Sequence, residues 1–78
     1  MKDTTIIENL PVEKIVELIG ISHNGWEEAA AIAVKEAAKT VRNIREVDVK
    51  RFTAKVEKDT IVEYRAIVKI TFKVEREI

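Results

Sequence analysis

From Val62 to Val74 the chain alternates without a break. Val62, Tyr64, Ala66, Val68, Ile70, Phe72 and Val74 fall on one side, and Glu63, Arg65, Ile67, Lys69, Thr71 and Lys73 on the other. A helix would scatter such a pattern around its circumference, whereas a pleated strand gathers it onto one face. A strand this long needs a partner to pair its backbone. Residues 44–57 and 60–76 are therefore predicted to form a hairpin around Lys58-Asp59. The first arm carries Val47 and Val49 on one parity but Phe52, Ala54 and Val56 on the opposite one. A bulge near Lys50–Arg51 reconciles them. If Glu57 pairs with Thr60, Val47 meets Ile70 and Val49 meets Val68 on the core side. Glu46 then meets Thr71, and Asp48 meets Lys69, on the open side, so both faces agree on one register.

Upstream, residues 13–20 (EKIVELIG) alternate Glu13, Ile15, Glu17 and Ile19 against Lys14, Val16, Leu18 and Gly20, the period of a strand. Ile21 to Gly25 is turn chemistry, with Ser22 or Asn24 as the expected N-cap. Residues 26–41 then read as a helix whose apolar stripe is Trp26, Ala30, Ala33, Val34, Ala37 and Val41, with Ile32 off the stripe. Residues 1–12 read as a leader ended by Pro11, whose Ile6 and Ile7 are expected to dock against a neighbour, and 13–78 as a single domain. The predicted class is α+β, in the order β-α-β-β. A crossover makes the first two strands parallel, and the last strand fills the gap between them. The result is a three-stranded sheet with one helix on one face. Ile15, Ile19, Ile67 and Phe52 are assigned to the open face, which is too apolar for water and has the composition of an interface.

At 78 residues such a fold buries too little to be comfortable alone. There is no cysteine to cross-link it, and the single histidine, His23, makes a zinc site improbable. Self-association is the remedy left. Lys+Arg and Asp+Glu balance at 14 each, with few aromatic residues, which argues against a nucleic-acid partner. No apolar run has the length of a membrane span, and Met1-Lys2-Asp3 does not begin a secretory signal, so a cytoplasmic protein is expected.

Catalytic chemistry is not expected. Ser22 and His23 are sequence neighbours in a turn and cannot form a triad geometry. Gly20 and Gly25 are the only glycines, so no phosphate loop exists. Glu27 and Glu28 suit the first turn of a helix better than acid–base work. Trp26, Tyr64 and Phe72 are assigned to the core, and Phe52 to an interface or to the wall of a pocket between subunits. Glu46 and Asp48, two residues apart on the open face, form a candidate site for a divalent cation where copies meet.

Taken together, KIVELIGIS, WEEAAAIAVKEAAKTVRNIREVDV and IVEYRAIVKITFKVE resemble the dodecin family over residues 14–75. That resemblance implies a sheet partly wrapped around one helix and twelve chains assembled from trimers into a hollow sphere. It also implies flavins (FMN, riboflavin or FAD) bound in pairs near two-fold axes for storage, with no catalysis. The family's stacking tryptophan falls at Glu46 here, and the glutamine that follows the tyrosine of the last strand falls at Arg65. These two positions are the cofactor-binding candidates. The primary expectation is a homododecameric cage holding flavin or a related flat small molecule. The alternative is a flavin-free cage that is structural or binds cations such as calcium at Glu46 and Asp48, with Glu46–Arg65 pairs between subunits.

Overall fold

A computed structural model describes residues 12–74. Its elements are β1 (Glu13–Ser22), α1 (Trp26–Ala37), β2 (Ile44–Glu57) and β3 (Thr60–Lys73). The sheet order is β1-β3-β2, and β3 is antiparallel to both neighbours, so the two outer strands run parallel to each other. The leader residues Ile6, Ile7 and Pro11, and the predicted end of the last strand beyond Val74, lie outside the described residues.

The hairpin closes as the alternation demands. Glu57 pairs with Thr60, and Lys58 and Asp59 both adopt left-handed backbone angles (φ 51° and 65°). Positive φ at both central residues gives a two-residue turn whose twist matches that of the strands it joins. The register is the expected one: Val47 opposite Ile70, Val49 opposite Val68, Glu46 opposite Thr71 and Asp48 opposite Lys69. Lys50 is the extra residue of a bulge between Val49 and Arg51, and Val62 is an extra residue on β3 between the pairs Lys55–Glu63 and Val56–Ile61, so the two shifts cancel.

That bulge corrects the placement of Phe52. Its Cα partner is Ala66, which is buried under the helix, so Phe52 stands on the helix side of the sheet and not on the open face. Counting alternation from Glu46 and Asp48 across the bulge gives the wrong side by one step.

α1 sits on β1 and β3. Ala29, Ala33 and Ala37 are buried against Ala66, Val68 and Ile70, and Val16, Leu18, Ala30, Val34, Val41 and Ile44 pack around them. The seat is close because the facing residues are small: Gly20 is the cross-strand partner of Ala66, and both lie under the helix. The expected stripe is thus rotated toward Ala29, and Trp26 is not a core residue but 38% exposed. The helix also stops at Ala37, short of the predicted Val41. Residues 38–40 turn more tightly, with Lys39 and Thr40 N–H groups reaching the Glu36 and Ala37 carbonyls, and Asn43 (φ 61°) then redirects the chain. Val41 still touches the core, so the apolar period outlasts the helix.

Neither expected residue caps α1. The N-cap position is Gly25, and Ser22, itself buried, accepts hydrogen bonds from the N–H groups of Asn24 (2.9 Å) and Gly25 (3.3 Å) to shape the turn before the helix. β1 accordingly runs on to Ser22, two residues past its predicted end.

Cover is incomplete. A helix of 12 residues is about 18 Å long, whereas a 14-residue strand spans about 46 Å. Beyond the helix Val56 is 59% exposed and Phe52 50% exposed, and on the open face Ile15 is 61% and Ile19 51% exposed.

The Gly20 seat has a direct test. A Cβ there would lie 1.9 Å from the Ala29 carbonyl oxygen and 2.9 Å from its carbon. Backbone cannot yield as a side chain end does, so Gly20→Ala is expected to cost roughly 3 kcal/mol in urea denaturation. A variant as stable as the parent would show that the helix does not sit this close.

Candidate functional site

The register lays the open face out as rows across β1, β3 and β2. Ile15, Thr71 and Glu46 form one row, and Glu17, Lys69 and Asp48 the next. Ile19, Ile67 and Arg51 follow, and then Ile21, Arg65 and Thr53. The apolar strip is therefore Ile15, Ile19, Ile21 and Ile67, confined to β1 and β3, with charge along β2. Ile21 belongs to it because β1 continues into what the sequence presents as a turn.

Glu46 and Arg65 are not brought together within one chain. Their β3 positions, 71 and 65, are six residues apart, about 20 Å along the strand. Arg65 is partly buried and donates from Nη1 to Glu63 Oε1 at 3.1 Å. With Ile21 and Thr53 beside it and Ile67 on the next row, Arg65 occupies the end of the isoleucine strip. Glu46 faces Thr71 and, diagonally, Lys73 and Lys69.

Glu46 and Asp48 do share a face, as expected. Asp48 lies 3.7 Å from Lys50 Nζ and opposite Lys69. Among the described residues no group of three or more Asp, Glu, His or Cys side chains converges to hold a metal ion. Calcium takes six to eight oxygens, so a site at this pair needs carboxylates from another copy.

The remaining sequence candidates are occupied structurally. The Ser22 hydroxyl is committed to two backbone N–H groups. The His23 ring lies 3.1 Å (Nδ1) from the Val62 carbonyl, a contact that requires Nδ1 to carry the proton. Glu28 accepts from Asn24 Nδ2 at 2.9 Å in the first helical turn.

The sequence did not reveal the aromatic group at the head of the helix. Trp26 packs edge-on to Tyr64 (centroids 4.9 Å apart) and tilted against Phe52 (6.0 Å), and its Nε1–H donates to the Thr53 carbonyl at 2.8 Å. Three residues assigned separately thus tie the start of α1 to the far half of the hairpin. The signal was the Lys50 bulge: once it is applied, Phe52 and Tyr64 share the face that Trp26 overhangs.

A family model described as Dodecin matches residues 12–75. The chain is 33% identical over 64 residues to a dodecin of Thermus thermophilus, covering 82% of this chain and 93% of that one. It is 34% identical over 64 residues to a protein of Mycobacterium tuberculosis named calcium dodecin, covering 82% and 90%. A crystal structure of a Thermus thermophilus protein superposes with a TM-score of 0.81 at 31% identity, covering 86% of this chain and 98% of that chain.

Removing the indole donor while keeping a ring, Trp26→Phe, is expected to lower stability by about 1 kcal/mol, the net worth of one hydrogen bond. Thermal unfolding followed by circular dichroism measures it. An unchanged midpoint would mean that the Thr53 contact holds nothing in place.

Proposed function

The chain belongs to the dodecin family, and from that premise we propose that it is a non-enzymatic, homododecameric cage that binds and stores flavin or a related flat cofactor between its subunits. The observation that carries this reading is that both faces of the sheet keep apolar residues uncovered: Ile15, Ile19 and Ile21 on one, Val47, Val49 and Phe52 on the other. Burial of such area contributes on the order of 25 cal/mol per Å², and a single helix cannot provide it. Copies of the same chain can. The absence of catalysis is supported by the fate of Ser22 and His23, whose polar atoms are engaged with backbone.

Arg65 supports the choice of ligand. A guanidinium beside an isoleucine strip offers planar donors at the edge of an apolar floor, which suits a flat ring system carrying an anionic group. A carboxylate at Glu46 has no aromatic face to stack, so the ligand is held by its edge and its charge, and FMN is favoured over riboflavin. Since Glu46 and Arg65 lie far apart in one chain, the two meet a common ligand only across a subunit boundary.

A second reading rests on the pair Glu46 and Asp48 and on the relative named for calcium. The pair lies on a face left open for neighbours, where copies supply the missing oxygens.

Twelve chains of 8.9 kDa give about 107 kDa, and sedimentation is expected to return that mass. FMN should lose fluorescence on titration with micromolar protein, and Arg65→Gln should weaken FMN about tenfold, by removing a charged hydrogen bond. No quenching with either flavin removes the flavin reading. Calorimetric uptake of calcium by the parent but not by Glu46→Gln would instead establish the cation reading.

A further inference from the structure

Where α1 gives way to β2, a cleft of about 260 Å³ opens between the helix end and the far ends of β1 and β3. Lys14, Arg42 and Lys73 bring three cations to it, Thr40 and Asn43 add a hydroxyl and an amide, and Phe72 lines it with a ring. No carboxylate lines it among the described residues, and none of the three cations makes an ion pair with another described residue. The acidic neighbours are Glu13 and Glu46, which share the open face with Lys73, one opposite it and one diagonal to it, and Glu36, which is paired to Lys39 at 3.1 Å.

Cations near a helix end often serve to satisfy its last carbonyls. Here backbone does this for three carbonyls of the last turn. The Val34, Glu36 and Ala37 carbonyls accept from the N–H groups of Ala38, Lys39, Thr40 and Val41 at 2.9–3.1 Å. Like charges around one cleft repel each other, less at Lys73, which has Glu13 and Glu46 beside it, than between Lys14 and Arg42, and an anion placed among them relieves that repulsion. Arg42 supplies a planar fork and Lys14 and Lys73 supply point charges, the combination that recognises a tetrahedral oxyanion.

We propose that this cleft binds the phosphate group of a small organic phosphate ester, with the organic part against Phe72. The volume lies just below that of a typical small-molecule pocket, which sets the size of the ligand. Phe72 is seven residues beyond Arg65 on β3, about 23 Å along the strand, so the site is separate from the flavin edge discussed above.

The test uses the assembled protein and two probes, inorganic phosphate and phenyl phosphate, followed by calorimetry and by amide shifts at Arg42, Asn43 and Lys73. Saturable binding is expected for both, tighter for phenyl phosphate and weakened by added salt. Arg42→Gln, an exposed substitution outside the core, should weaken both about tenfold while leaving riboflavin titration unchanged. Three results would overturn the proposal: an unchanged affinity in Arg42→Gln, shifts spread evenly over surface lysines, or no binding at all because a neighbouring copy fills the cleft. Because riboflavin carries no phosphate, failure of flavin binding and failure of this cleft are read separately.

Discussion

The close seat of α1 on β1 and β3 depends on a lack of side chain: Gly20 and Ala66 are cross-strand partners, and Ala29 and Ala33 come down on them. Close approach gives dense contact for little buried area, since alanine and glycine have few atoms to remove from water. The consequence is a core whose only large fully buried side chains, among the described residues, are Val68 and Ile70. Small residues let the helix in, and their smallness leaves the domain needing more burial than it has.

The hairpin turns that shortage into a surface. Its two long arms extend beyond both the helix and β1, so among the described residues Val56 and Ile61 are left exposed and Phe52 is only half covered. The Trp26–Phe52–Tyr64 group partly compensates by tying the head of the helix to the overhanging arm through one hydrogen bond and two ring contacts. Both the core and this bridge depend on the bulge at Lys50. It keeps Val47 and Val49 on the same side as Phe52, so a strand with two parities presents one apolar face.

Charge is arranged differently from apolar surface. On the open face Lys69 stands between Glu17 and Asp48, and Arg65 is held by Glu63, so opposite signs are interleaved. At the end of the helix the cations Lys14, Arg42 and Lys73 gather without a lining carboxylate among the described residues. A chain of zero net charge can therefore still hold a local excess of positive potential, because the field at a cleft reflects its lining and not the total.

The sequence by itself determined the elements, the hairpin and the pairing of its arms. Those follow from period two, which is written locally: a count from the turn at Lys58-Asp59 gives Glu46 against Thr71 and Val49 against Val68, and it holds because an extra residue on β3, Val62, offsets the bulge at Lys50. Family membership was legible for the same reason, in contiguous runs of residues. Tertiary structure decided what depends on separations no local period encodes. It put Phe52 on the helix side, took Trp26 out of the core, stopped the helix at Ala37 while Val41 kept packing, and separated Glu46 from Arg65. It also drew Lys14, Arg42 and Lys73 from three distant stretches of chain into one cleft. Alternation tells which side a residue faces only until a bulge intervenes, and it never tells what arrives from elsewhere to face it.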